Sequence, residues 1–297
     1  MQQLQFDEMA LYARVAELGS LSAVARERDV PVSQVSRTLA RLEKACGARL
    51  MHRSTHGLSL TDEGRTFLAY SRRALDTLEE MEGAFATHAG EPGGVVRVAA
   101  SSLVAQYRLV PSFAELAARH PRLRLELEVG DRLVDMVREG IDISIRTVNA
   151  LPDNVVARQI GALGRALYAA PSYAQAHGLP SRPEELAAHA LVTNSAVTML
   201  NDWPFRVDDE AWSYAARGQW RANDSGMAAQ MVLQGLGIGR LNTWVGDALV
   251  AQGLLVEVLA AFIDPQPVPV YAVTAPTRHR LPKIKACLDY WEEWFAR

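Results

Sequence analysis

The chain has 297 residues, 49% of them hydrophobic and 22% charged, with a formal net charge of -3. That length implies more than one domain. No apolar run reaches the roughly 18 residues of a membrane span, and the acidic, amphipathic start is unlike a signal peptide, so a cytoplasmic protein without membrane attachment is expected. Two distant cysteines and seven scattered histidines exclude a disulfide framework and leave no metal-ligand spacing, so neither metal nor cofactor is expected.

Leu4, Met9, Leu11, Val15 and Leu18 recur at helical spacing and Gly19 follows as a stop, predicting a first helix. Ser22 is placed to cap a short second helix. Pro31 interrupts, and a third helix opens near Ser33 with Val35, Leu39 and Leu42 on one face. Ser33, Gln34, Ser36, Arg37 and Arg41 are left on the others, the form of a helix-turn-helix. Between Ser22 and His56 seven basic residues face three acidic ones, so this segment carries +4 and the remainder -7. Such a division attracts phosphates to one end of the chain, although a charge run alone also describes a solvated face. Arg49 to His52 and Leu58 to Leu60 read as a two-stranded wing bearing Arg53 and His56, with Gly57 in its turn at positive φ. Thr61 caps the next helix, with Asp62 and Glu63 in its first turn.

The stretch AELGSLSAVARERDVPVSQVSRTLARLEKACGARLMHRSTHGLSLTDEG resembles the N-terminal domain of LysR-type transcriptional regulators. The resemblance rests on the GS start of helix two, VSR and RLE in helix three, RL-x-x-R entering the wing and LT-x-x-G leaving it. Pro31 and Val32 stand where the family often has a serine and a proline, and Met51 replaces a frequent phenylalanine. Side-chain chemistry suits Gln34 and Arg37 to base edges, Ser33, Ser36 and Arg41 to phosphate or short polar contacts, and Arg53 and His56 to the backbone or minor groove. The competing reading makes Ser33 a helix cap and Arg41 a solvated charge. Cys46 reads as a buried small hydrophobe rather than an oxidant sensor.

From Asp62 to about His88 the pattern stays helical, with Phe67, Ala74 and Met81, and Ser71, Leu78 and Phe85, spaced by seven and Leu68 and Leu75 broadening the stripe. At roughly 40 Å such a helix carries more apolar surface than a small domain covers. The stripe also fits ordinary core packing; the resemblance implies pairing with a second copy, two half-sites of a dyad-symmetric operator in double-stranded DNA, and a homotetramer built from dimers. Ala89 to Gly94 reads as a flexible break.

Beyond it, strands and helices alternate: strands at 95–100, 123–129, 141–146, 165–170, 191–193, 238–241 and 268–274, and helices at 111–119, 133–139, 226–234 and 282–295. Alternation predicts largely parallel sheets in two α/β halves around a cleft, like a periplasmic binding protein, and the resemblance covers this remainder as an effector domain. The expected organisation is a winged helix-turn-helix at 1–61, a linker helix at 62–89 and an effector domain at 90–297. Within the last, one subdomain takes about 94–163 and 267–297 and the other about 164–266. Strand ends and helix N-termini favour anions, so Ser101, Ser102 and Ser195 are candidates to bind a small organic effector, a carboxylate among the options, with Arg146 nearby. Asn223 and Asp224 precede a helix at the same end, and Asp224 opposes a carboxylate, which leaves a guest of mixed polarity open. The serines also fit plain helix capping, and Arg146 an ion pair.

An enzyme is the rival reading, and GxSxG, GxxxxGK[ST] and HExxH are all missing. Gly235, Gly237 and Gly239 sit between a helix and a strand, the wrong order for a dinucleotide loop, and read as packing and turn residues. A solute-binding protein explains the cleft but not the first ninety residues. The sequence thus implies a regulator controlled by a small molecule, with RNA polymerase as a further partner.

Overall fold

The computed structural model describes residues 4–54, 57–85, 92–152, 155–263, 267–276 and 278–297, with backbone alone at 53–54, 57, 79–80 and 82–85. The chain falls into two compact units, one of Met1–Arg97, His120–Leu125 and Val134–Asp142, the other of Val98–Arg119, Glu126–Leu133 and Ile143–Arg297.

The first unit begins with α1 (Phe6–Leu18), which ends at Gly19 in the left-handed region at φ 61°. Helix α2 (Leu21–Glu27) is capped by Ser20, whose hydroxyl accepts the Ala23 N–H at 3.3 Å. Ser22 is therefore not the cap: the extended backbone at Ser20 starts the helix two residues earlier and leaves Ser22 exposed on its first turn. After a turn in which Asp29 takes φ 52°, α3 (Val32–Cys46) opens behind Pro31 and closes at Gly47, φ 66°. Val35, Leu39 and Leu42 are buried in one core with Leu11, Tyr12, Val15, Val24 and Leu50. Each large aliphatic side chain buried there contributes about 1.5–3 kcal/mol before the entropy of ordering the chain.

Strands β1 (Met51–Ser54) and β2 (Gly57–Leu60) pair antiparallel with Met51 opposite Leu60. The wing thus starts two residues later than its spacing suggested, and Gly57 lies in β2 opposite Ser54. Helix α4 (Asp62–Phe85) follows, with Thr61 Oγ1 accepting the Gly64 N–H at 2.8 Å as expected of a cap. The expected continuation of this helix to His88, and residues 89–91 of the expected break at 89–94, lie outside the described residues, while Gly94 already opens the next strand.

The α/β region contains, in order, β3 (Gly94–Ala100), α5 (Ser102–Val104), a π turn at Ala105–Leu109, α6 (Val110–Arg119), β4 (Leu123–Val129), α7 (Met136–Glu139), β5 (Ile143–Thr147) and β6 (Val156–Leu163). The widened π turn lies over the carbonyls that Pro111, lacking an N–H, cannot serve. Then come β7 (Arg165–Ala169), α8 (Pro171–His177), β8 (Leu191–Asn194), β9 (Asp202–Val207), β10 (Glu210–Ala215), β11 (Trp220–Ala222) and α9 (Ser225–Leu233). The chain closes with β12 (Ile238–Asn242), α10 (Thr243–Ala251), β13 (Val256–Val258), β14 (Val268–Thr274) and α11 (Pro282–Phe295).

Two five-stranded sheets result, ordered β4-β3-β5-β14-β6 and β11-β8-β12-β7-β13. Neither is largely parallel: β3 and β5, and β8 with β11 and β12, run parallel, while β14 opposes β5 and β6 and β7 opposes β12 and β13. The reversed strands are those that carry the chain out of one sheet and back into it. The hairpin β9–β10 was not apparent from alternation; its turn places Asp208 and Asp209 at φ 50° and 66°, the primed geometry of a two-residue hairpin.

Helix α4 is partly covered within the first unit. A Cβ on Gly140, just after α7, would stand 3.6 Å from the Ala69 Cα, and Arg97 pairs with Asp76 at 3.0 Å. Leu68 and Ala69 are buried, whereas Tyr70 and Met81 are 54% and 51% exposed. No described helix is long and apolar enough to cross a membrane.

Candidate functional site

The face of α3 opposite its core stripe is formed by Ser33, Gln34 and Arg37, all exposed, with Ser36 half-buried. Pro31 occupies the cap position without a side-chain hydrogen bond, so Ser33 is inside the first turn and does not cap the helix. The register is thereby set: Gln34, whose N–H bonds the Pro31 carbonyl at 2.9 Å, projects from the first turn and Arg37 from the next. Arg37 Nε donates to the Ser33 carbonyl at 3.3 Å, which leaves the outer guanidinium nitrogens beyond that bond. Arg41 is neither free nor simply solvated. It forms an ion pair with Glu8 of α1, whose side chain is only 11% exposed, and so ties the helix to its scaffold.

Two further links hold the wing to that scaffold. Glu43 Oε1 accepts the N–H groups of Leu50 and Met51 at 2.9 and 3.3 Å, and Thr61 Oγ1 donates to the Arg49 carbonyl at 2.7 Å. The buried Tyr12 hydroxyl lies 3.3 Å from the Leu50 carbonyl and 3.1 Å from that of Gly64, and burial pushes its pKa above the ordinary tyrosine value, with the charge of Glu43 adding to it. Gly64 is obligatory here, because a Cβ would stand 1.9 Å from the Leu50 oxygen. The backbone of Arg53 lies in β1 opposite Leu58, while its side chain and all of His56 lie outside the described residues. Cys46 differs from expectation: at the last position of α3 it is exposed rather than buried, beside an open apolar cavity of about 790 Å³ that Leu4, Met9, Phe67 and Tyr70 also line. Partial desolvation nonetheless raises its thiol pKa.

In the second unit, four polar side chains from separate segments converge. Ser102, at the start of α5, lies with its Oγ 3.1 Å from that of Ser225 and accepts the Gly226 N–H at 2.8 Å. Ser225 Oγ donates to Asp131 Oδ1 at 2.9 Å, and Asn194 Nδ2 donates to Asp131 Oδ2 at 2.8 Å. Asn194 is itself fixed, its Oδ1 accepting the N–H groups of Ala196 and Val197 at 2.8 Å each and its backbone bonding both ends of the Asn201 amide. Burial pushes the Asp131 carboxyl up, against the opposing pull of the hydrogen bonds from Ser225 and Asn194, and the charge of Asp224 adds to the rise. The arrangement joins the ends of β3 and β8 through a carboxylate already satisfied on both oxygens.

Of the expected ligand residues, Ser102 alone enters this network. Ser101 holds the cap position of α5 without a side-chain cap bond, Ser195 is exposed with its N–H donated to Ala222, and Asn223 is exposed. Asp224 caps α9 by accepting the Met227 N–H at 2.8 Å. Arg146 Nε donates to Ser144 Oγ at 3.3 Å in β5, and burial lowers its pKa. Asp131, Asn194 and Ser225 are not among the residues expected from the sequence. Asp131 follows Gly130 at a strand end and Ser225 follows an Asn-Asp pair, signals that read equally as turns and caps. Gly235 and Gly237 have the packing roles expected of them, φ 74° at the first and a Cβ only 2.4 Å from the Ala190 oxygen at the second. Among the described residues no group of three or more His, Cys, Asp or Glu could hold a metal ion.

Comparison with known proteins matches residues 6–65 to the bacterial regulatory helix-turn-helix protein, lysR family, and residues 89–296 to the LysR substrate binding domain. The chain is 33% identical over 258 residues to the uncharacterized HTH-type transcriptional regulator YhjC of Escherichia coli K12, covering 86% of each. It is 28% identical to the HTH-type transcriptional regulator DmlR of the same strain, covering 98% of this chain and 94% of that one. The solved structure of CrgA, a LysR-type transcriptional regulator from Neisseria meningitidis, superposes with a TM-score of 0.66 at 26% identity, covering 99% of this chain and 100% of that one. With a helix-turn-helix followed in the chain by an α/β region of two sheets, and with both family matches in that order, the chain belongs to the LysR family of bacterial transcriptional regulators.

Proposed function

We propose that this regulator reads a dyad-symmetric operator with α3 and answers to a small organic effector at the Asp131 network. The organisation that supports this reading is 1–61 for DNA, 62–89 for the linker and 90–297 for the effector, the last divided at about 163 and 267. Gln34 and Arg37 face base edges, Ser33 and Ser36 the flanking phosphates, and the wing residues Arg53 and His56 the backbone or minor groove. Arg41 acts through its ion pair as a positioning residue. Two copies of the chain, joined along α4, place two recognition helices about 34 Å apart, and dimers pair into a tetramer. The exposed Tyr70 and Met81 and the apolar cavity at Phe67 support that pairing. The protein works in the cytoplasm, with RNA polymerase as its further partner.

The observation that carries the effector reading is the convergence of Ser102, Asp131, Asn194 and Ser225 from four segments onto one polar joint. A guest bearing an N–H or O–H donor can add to Asp131, whereas a carboxylate must displace it from Ser225 and Asn194. Either changes how the two sheets are tied, and the ligand shifts DNA binding by its preference for one arrangement. Footprinting on operators found by genome-wide occupancy mapping, with and without metabolites of the neighbouring genes, tests this. A changed footprint that is lost in Asp131→Ala supports it, and an unchanged footprint together with unchanged transcription rejects it.

A further inference from the structure

Among the described residues, two arginines of the second sheet have no acidic side-chain partner. Arg165 opens β7 and Arg240 lies in β12, and the antiparallel register sets Asn242 opposite Arg165 and Arg240 opposite Leu167. Alternate residues of a strand share a face, so the two arginines are diagonal neighbours on one face, roughly 7 Å apart at their stems and within reach of each other's long side chains. The same face carries Leu167 and Ile238, which pack in a core with Leu191, Trp203 and Phe205. Both residues are half-buried. Burial lowers the pKa of each, and for Arg240, where the charge of Arg165 adds to the effect, to about 10.

A charge drawn away from water is stabilised by an opposite charge or by hydrogen bonds. Here Arg240 donates to the Asp202 carbonyl at 3.3 Å, and among the described residues neither arginine is paired with an acidic side chain. Two like charges brought to one face of the sheet by the register, beside apolar residues, create an unbalanced positive field there, which strengthens as water is excluded, and each fork carries several donors. The anion position at the start of α9, by contrast, is already filled by the chain's own Asp131.

We propose that Arg165 and Arg240 form a seat for a small oxyanion, a carboxylate or a tetrahedral anion of the sulfate and phosphate type, bridged between the two guanidinium groups. The seat is separate from the Asp131 network but touches it through one residue step. Arg240 holds the carbonyl of Asp202, and the preceding Asn201 grips the backbone of Asn194.

Isothermal titration of the full-length chain with sodium sulfate and with sodium acetate, each against sodium chloride of equal ionic strength, tests the proposal. Saturable binding of at least one anion is expected. It should weaken at least tenfold in the double variant Arg165→Gln, Arg240→Gln, and also in Arg240→Lys, which keeps the charge but loses the fork. Preference for sulfate identifies a tetrahedral guest and preference for acetate a carboxylate. The absence of saturable binding to the wild-type chain overturns the proposal, as does unchanged affinity in the variants. Should the double variant fold poorly, Arg240→Lys decides alone by the same criterion. Asp131→Ala should leave anion affinity unchanged; a loss there equal to that of the arginine variants moves the anion to the other site and overturns the assignment. An effector reading that fails at Asp131 leaves this outcome untouched.

Discussion

The proposed recognition face and the proposed effector joint are both small sets of polar residues, but they are assembled differently. Ser33, Gln34 and Arg37 come from a single helix, so its spacing alone places them together. Ser102, Asp131, Asn194 and Ser225 come from four segments as far as 123 residues apart, and only the pairing of sheets brings them within hydrogen-bond range. Residues that meet through local periodicity are legible from sequence; residues that meet through topology are not. The same difference implies that the first site fails when a helix is misplaced and the second when a strand end moves.

The strongest way to sharpen this comparison is to displace the scaffold without touching the recognition face. Gly64→Ala forces a Cβ into the Leu50 carbonyl and should destabilise the first unit by about 3 kcal/mol or more, with loss of operator binding measured by anisotropy and a lowered midpoint in urea. Arg37→Ala should keep the fold and weaken operator binding by about 1–3 kcal/mol, with the salt slope falling by about one if the contact is to phosphate. Wild-type affinity across several salt concentrations would remove Arg37 from the interface. Ser20→Ala should cost about 1 kcal/mol in thermal or urea unfolding because it deletes the real cap of α2, whereas Ser22→Ala should stay within about 0.5 kcal/mol. Equal effects would contradict the cap assignment.

The smallest effect concerns the other region and appears as a slope. Asp131 is raised by burial, so the native state holds its proton more tightly than the unfolded chain. The stability this contributes is present below about pH 4, where the carboxyl is protonated in both states, and is lost as pH rises through the elevated value. Asp131→Asn should abolish that segment of the pH dependence, and urea titrations from about pH 4 to 7 on both chains measure it; parallel profiles would show that Asp131 does not titrate abnormally.

The legible part of the molecule follows the same division. Helix α1 with its Gly19 stop, the core stripe of α3, the Thr61 cap and the order of most strands all follow from spacing and turn chemistry. The Ser20 cap was missed because two serines flank the start of α2 and backbone extension decides between them. Antiparallel β7 and β14 were missed because direction within a sheet depends on where a strand returns, which no local pattern records. Cys46 was placed inside because cysteine is commonly buried, yet it falls at the last turn of α3, where the helix emerges from its core.

That position has a practical consequence. The chain has two cysteines, and Cys287 is fully buried in α11 while Cys46 is exposed, so the native protein offers a single thiol for covalent labelling. Because partial desolvation raises the Cys46 pKa, a maleimide will react slowly at neutral pH and faster as the solution is made alkaline. A fluorophore attached there sits at the C-terminal end of α3 and beside Phe67 and Tyr70. It offers a test of the proposed DNA engagement by α3 and of the proposed association of copies, without any engineered residue.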